Sequence, residues 1–290
     1  MNIFTVAAIL IVCAHAQAFD VRRLHPVGGP LDNASVVKKN TLQGTVEREH
    51  DVSKPKIAGG KTAELGDIPF QVSIDIDMAD FCGGTIIDRF YVLTTANCAM
   101  KGSQYVIYAG VVKLRGDESS RVVIQSSHAI IYEGFNPGSF YGDLALIQLP
   151  NFLEFNQFIK PAYIPINDDT YAGEIAWISG WGASSSGGSL ASELQYTQVP
   201  IMSNEHCRVH VGAYITDYIY TTTDYICTTY LQGHGECFGD YGGPLFVGKL
   251  GGSATLIGVY TDSTPAHCGQ RTDVYTRVSS FRGWIDGHIR

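Results

Sequence analysis

Short apolar runs separated by turn residues dominate the chain. Phe70–Ile74, Tyr91–Leu93, Gln104–Tyr108, Val122–Ile124 and Leu144–Leu149 are rich in β-branched, aliphatic and aromatic residues. The same texture returns at Ile175–Ile178, Leu194–Val199, Leu245–Val247 and Leu256–Tyr260. Runs of this length, bounded by Gly, Pro, Asn and Asp, predict strands. Only Ser280–Ile289 has helical spacing, with Phe281, Trp284, Ile285 and Ile289 behind a candidate Ser280 cap. The pattern predicts an all-β protein, and two packed antiparallel barrels accommodate it. No internal repeat is visible, and Ser184–Gly188 reads as a loop.

Upstream of Ile57 the pattern disappears. Residues 19–56 are polar, broken by Gly, Pro and Asn, and free of cysteine, which predicts a pro-segment without packed structure. Asn33-Ala34-Ser35 is a glycosylation sequon within it. Residues 1–18 read as a secretory signal: Ile3 to Cys13 is apolar, and Ala14, Ala16 and Ala18 follow. The apolar run is too short to span a bilayer comfortably. A secreted, extracellular protein is expected.

Composition narrows the partners. The chain has 290 residues, 45% hydrophobic and 17% charged, which suits a globular core. A formal net charge of −8 argues against a nucleic-acid or anionic-membrane binder. Of seven cysteines, Cys13 leaves with the signal; Cys82, Cys98, Cys207, Cys227, Cys237 and Cys268 remain. An even set in a secreted chain predicts disulfides, and sequence alone does not choose their pairing.

Two segments carry the chemistry. Gly239-Asp240-Tyr241-Gly242-Gly243-Pro244 resembles the nucleophile loop of the trypsin/chymotrypsin-like serine proteases, with tyrosine where that family has its attacking serine. Leu93-Thr94-Thr95-Ala96-Asn97-Cys98 resembles the family's histidine motif, with asparagine in place of histidine. Ile57-Ala58-Gly59-Gly60, Cys82-Gly83-Gly84-Thr85, Asp143-Leu144-Ala145-Leu146, Ser179-Gly180-Trp181-Gly182 and Val274-Tyr275-Thr276-Arg277-Val278 are further landmarks in the family's order. The resemblance covers residues 57–290 and looks most like arthropod digestive-type members. It implies two packed antiparallel six-stranded β-barrels meeting near residues 160–170, with a short C-terminal helix. It also implies the disulfides Cys82–Cys98, Cys207–Cys227 and Cys237–Cys268.

By the same resemblance the triad-equivalent positions are Asn97, Asp143 and Tyr241. The chemistry needs a nucleophilic oxygen, an imidazole to take and return its proton, and a carboxylate to orient the ring. A carboxamide has no basic nitrogen near neutral pH. A tyrosine hydroxyl titrates at about pH 10 and stands several ångströms farther from the backbone than a serine oxygen. Asp143 is intact but has no imidazole to orient, and Asn97 is a candidate donor to it. The amides of Gly239 and Tyr241 are the oxyanion-hole equivalents. His128, His206, His210, His234 and His267 all align outside the base position.

Lys56-Ile57 resembles the family's activation bond. Cleavage there would free an ammonium on Ile57, which the resemblance pairs with Asp240. The specificity pocket would have Gly235 at its base, Glu236 and Ser263 as walls and Asp273 at the rear. An acid at Asp273 suits a basic side chain, as in collagenolytic members. Tyr241 is positioned to fold across the pocket mouth, and Asp262 stands where an aromatic wall is usual.

Three functions compete. The chain reads as a non-catalytic homologue that binds a protein partner, be it a protease, an inhibitor or a protease substrate. The alternatives are an active trypsin-like or collagenolytic endopeptidase, and a structural or storage secretory protein. A monomer is expected, with no cofactor, metal, nucleic acid or membrane partner.

Overall fold

A computed structural model of the chain describes residues 60–183, 188–212, 223–229, 235–236, 239–261 and 272–289. The signal, the pro-segment, Lys56, Ile57, Asn33, Ser263, Cys237 and Cys268 lie outside these residues. The folded body begins with β1 (Lys61–Thr62). The first sheet then takes β2 (Gln71–Ile76), β3 (Asp80–Ile86), β4 (Tyr91–Thr94), β5 (Tyr105–Ala109), β6 (Val122–Ser126), β7 (Ala129–Ile131) and β8 (Ala145–Gln148), in the order β6-β5-β2-β3-β4-β8-β7. The second takes β9 (Ile175–Gly180), β10 (Gln195–Pro200), β11 (Tyr225–Cys227), β12 (Pro244–Gly248), β13 (Ala254–Tyr260) and β14 (Val274–Arg277), in the order β1-β10-β9-β12-β13-β14-β11. Both are curled and every strand pairing is antiparallel. Each sheet has seven strands among the described residues, where six per barrel were expected. In the second sheet one of the seven is β1, which pairs Lys61 with Tyr196 and Thr62 with Gln195.

Local chemistry explains the elements. In β2, Val72, Ile74 and Ile76 are at most 1% exposed, and Gln71 and Ser73 are buried too, so this strand is covered on both faces. In β5, Tyr105, Ile107 and Ala109 are buried and alternate with half-buried Val106 and Tyr108, the period of a strand with one wet face. A three-residue turn, Asp77 to Ala79, with positive φ at Asp77 (49°) and Met78 (58°), joins β2 to β3. The Asp77 carboxylate accepts the Gln104 amide at 2.8 Å and fixes that turn. Strand β3 carries Gly83 and Gly84, which hide it from a propensity reading. A Cβ at Gly84 would lie 2.8 Å from both Ile74 and Val92.

Three helices are short. Ala96–Ala99 (α1) is capped by Thr95, whose Oγ1 accepts the Cys98 amide at 3.2 Å. Asn204–Gly212 forms α2. At the tail a 3₁₀ turn (Ser279–Phe281) runs into α3 (Arg282–His288). The expected Ser280 cap is not used. Position 281 precedes the helix without a side-chain cap, and the Ser280 hydroxyl donates to the Thr223 carbonyl at 2.5 Å. Among the described residues no helix is long and apolar enough to cross a membrane.

The largest buried cluster draws on both sheets. Phe70 and Phe246 meet edge to face at 4.9 Å, joining the start of β2 to β12. Each buried ring contributes about 1.5–3 kcal/mol. Cys82–Cys98 and Cys207–Cys227 are bonded as the resemblance implied.

Candidate functional site

Asn97 and Asp143 come together although 46 positions separate them. Strand β4 delivers α1, and the Phe140–Leu144 turn before β8 delivers the acid. The β4–β8 pairing, Thr94 opposite Ala145, sets their register. The Asn97 amide donates to Asp143 Oδ1 at 2.8 Å, and its side-chain Nδ2 donates to Oδ2 at 3.0 Å. Thr261 Oγ1 donates to the same Oδ2 at 2.5 Å. Asp143 is fully buried. Burial raises its pKa above the ordinary carboxylate value, and the donors at Thr261, Asn97 and Ala96 work against that shift. The carboxylate is thus satisfied by neutral donors. Thr261 was not singled out from sequence; its only signal was a hydroxyl directly after β13.

The Gly239–Pro244 loop crosses where the sheets touch. The Gly83 amide donates to the Tyr241 carbonyl at 2.7 Å, and the Gly242 amide to the Tyr260 carbonyl at 3.0 Å. Gly242 has φ +81°, and a Cβ there would lie 2.2 Å from Thr94 Oγ1. Only glycine fits that close approach. The half-buried Tyr241 ring packs against both core clusters. It stacks on Tyr260, centroids 5.4 Å apart and planes 4° apart. Tyr260 in turn packs on Tyr275 at 5.5 Å. The tyrosine at the nucleophile position is therefore anchored to the wall formed by β13. Tyr260 was missed in the sequence because it read as one more strand residue.

Asp240 is 1% exposed, and its Oδ1 accepts the Gly182 amide at 2.7 Å. Its carboxylate lies against the Cα atoms of two glycines. Cβ atoms at Gly180 and Gly182 would fall 1.9 and 2.1 Å from its oxygens. The expected partner, Ile57, is outside the described residues. Of the pocket residues, Gly235, Glu236 and Asp273 are described. Asp273 is half-buried, and its Oδ2 accepts the Glu236 amide at 3.0 Å. Glu236, expected as a pocket wall, is 1% exposed and neither carboxyl oxygen has a hydrogen-bond donor. Burial first, then Asp240 and Asp273, push its pKa well above the ordinary value. Among the described residues no group of three His, Cys, Asp or Glu is placed to hold a metal ion.

Fold, disulfides and loop geometry define the class, and the comparisons agree. The family model described as Trypsin matches residues 57–285, and the chain belongs to that family. It is 32% identical over 232 residues to chymotrypsin-2 of Vespa crabro, covering 79% of this chain and 98% of that one. It is 32% identical over 245 residues to the venom peptide isomerase heavy chain of Agelenopsis aperta, covering 80% and 100%. Serine protease filzig of Drosophila melanogaster is 28% identical over 276 residues, 91% of this chain but 16% of filzig. The solved structure of HL collagenase superposes with a TM-score of 0.68 at 30% identity, covering 81% of this chain and all of that one.

Proposed function

We propose that this trypsin-family chain is a secreted, non-catalytic homologue that holds a protein partner at the old cleft without cutting it. The observation that carries this reading is the 3.0 Å bond from Asn97 Nδ2 to Asp143 Oδ2. The carboxylate that would orient an imidazole is engaged by an amide with no basic nitrogen. The Tyr241–Tyr260 stack supports it, since a hydroxyl at the end of an anchored ring does not sit where a serine oxygen would. The partner is a protease, an inhibitor or a protease substrate. A half-buried tyrosine in a cleft offers an apolar face and one hydrogen-bonding tip, a residue type common among binding hot spots.

The test uses pure protein cleaved at Lys56-Ile57. No turnover of basic or aromatic peptide substrates and no labelling by a fluorophosphonate are expected. Turnover blocked by an active-site inhibitor would refute the reading. A pull-down from the source fluid should capture a protease, inhibitor or substrate, and Tyr241→Ala should weaken that capture. Capture unchanged by the substitution would move the binding surface off the cleft.

A further inference from the structure

The loop between β5 and β6 carries the tripeptide Arg115-Gly116-Asp117. All three residues are exposed. Among the described residues neither Arg115 nor Asp117 makes a hydrogen bond or an ion pair within the chain. Gly116 has φ +95°, and a Cβ there would meet nothing within 4 Å. Its backbone conformation, not crowding, asks for glycine, and the space beside the two charges stays open.

The backbone on either side is held. Glu118 Oε2 accepts the Val112 amide at 3.1 Å and the Lys113 amide at 3.0 Å. Arg121 Nη2 donates to the Lys113 carbonyl at 2.6 Å and lies 3.6 Å from the Glu118 carboxylate. The Arg121 guanidinium sits over the Tyr108 ring of β5, 5.4 Å from its centroid. The Leu114 amide donates to the Ser192 carbonyl at 2.9 Å, and the Arg121 amide to the Glu118 carbonyl at 3.0 Å. The neighbouring charges Glu118 and Arg121 are thus used to fix the loop, while Arg115 and Asp117 are not. A cation and an anion flank one glycine on a clamped, solvent-facing backbone, the kind of loop that carries recognition.

We propose that Arg115-Gly116-Asp117 is a docking site for a cell-surface receptor that takes the Asp117 carboxylate on a bound divalent cation and the Arg115 guanidinium in an acidic slot, the chemistry by which integrins bind Arg-Gly-Asp. A carboxylate oxygen is a hard ligand suited to Mg²⁺ or Mn²⁺. The guanidinium fork pairs bidentately with carboxylates. Both contacts need groups that the fold does not already engage, and these two are such groups. The clamp at Glu118 lowers the ordering cost that a loose tripeptide would meet on binding. The site shares no residue with Asn97, Asp143 and Tyr241, so it does not rest on the non-catalytic reading. In the animal it requires the secretion proposed above.

The test measures binding of the full chain to an immobilised Arg-Gly-Asp-binding integrin ectodomain in Mn²⁺ buffer by surface plasmon resonance. Saturable binding is expected, abolished by EDTA and displaced by a soluble Arg-Gly-Asp peptide. Asp117→Glu keeps the charge, lengthens the side chain by one methylene and touches nothing that holds the fold. It should weaken binding at least about 10-fold, as a hot-spot residue does, with the unfolding midpoint unchanged. Glu118→Ala releases the clamp but keeps the tripeptide, and should weaken binding by about 2- to 10-fold while EDTA still abolishes it. No binding, binding that survives EDTA, or equal binding by Asp117→Glu overturns the proposal. Unchanged affinity in a folded Glu118→Ala overturns the part given to the clamp. None of these readouts involves peptide hydrolysis or Tyr241, so they decide the docking site separately from the proposed function.

Discussion

Rebuilding the catalytic pair is the sharpest test of how Asn97, Asp143 and Tyr241 relate. The perturbation is Asn97→His with Tyr241→Ser, each alone and together. In asparagine and histidine the first side-chain nitrogen hangs from Cγ, so Asn97 Nδ2 occupies the place of an imidazole Nδ1. It already lies 3.0 Å from Asp143 Oδ2. An imidazole there would donate to a carboxylate that Thr261 and the Asn97 amide hold still. Replacing the tyrosine removes the Tyr260 stack, worth about 0.5–1.5 kcal/mol, and frees the volume in front of the new hydroxyl. Triad members act as a unit, and losing one costs about as much as losing all, on the order of 10⁶ in kcat. Each single variant should therefore stay within about 3-fold of background. The double variant should rise by on the order of 10³-fold, about 4 kcal/mol of barrier. The assay is kcat/KM on basic peptide substrates plus fluorophosphonate labelling, on material whose new terminus at Ile57 is confirmed. Robust hydrolysis by Tyr241→Ser alone would mean the base lies elsewhere. A folded, cleaved and unlabelled double variant would mean that the Asn97–Asp143 geometry is not the catalytic one.

Asn97→Ala should destabilise by about 1.5–3 kcal/mol, since it strips one donor from a buried carboxylate; an unchanged midpoint in denaturant would show that the 3.0 Å bond contributes nothing. Gly182→Ala places a Cβ 2.1 Å from the Asp240 carboxylate and should cost at least about 1–3 kcal/mol; hydrogen exchange in the Gly239–Pro244 loop should rise with it, and unchanged protection would count against the contact. Tyr241→Ala should open the approach to Asp273 and tighten binding of benzamidine-like cations, measured by calorimetry; no gain with the fold intact would mean that Asp273 does not face the pocket. Removing Cys207–Cys227, which closes a separation of 20 residues, should cost about 3 kcal/mol by reduced-versus-oxidised unfolding.

The sequence by itself determined the fold class and the two departures at Asn97 and Tyr241. Strands such as β2, β5 and β13 announce themselves because their burial follows local period and composition. Others were hidden for identifiable reasons. Strand β3 contains Gly83 and Gly84, whose missing side chains make room for the Gly243 backbone at Gly83 and for Ile74 and Val92 of neighbouring strands at Gly84. Ser280 looked like a helix cap, but Thr223 offered its hydroxyl a carbonyl from 57 positions away. The candidate site divides in the same way. Motif order located Asp143, Asp240 and Glu236, yet only the packed sheets decided what each one touches. Thr261 reaches Asp143 across 118 positions, and Tyr241 found Tyr260 as its support rather than open solvent. Glu236, expected as a pocket wall, is a buried acid whose carboxyl oxygens have no hydrogen-bond donor, which no motif announces. Hydrogen-bond partners and burial depend on three-dimensional neighbours, and in a sheet protein those neighbours come from distant strands. Local pattern fixes a strand's period, but it carries no record of which residue will stand opposite.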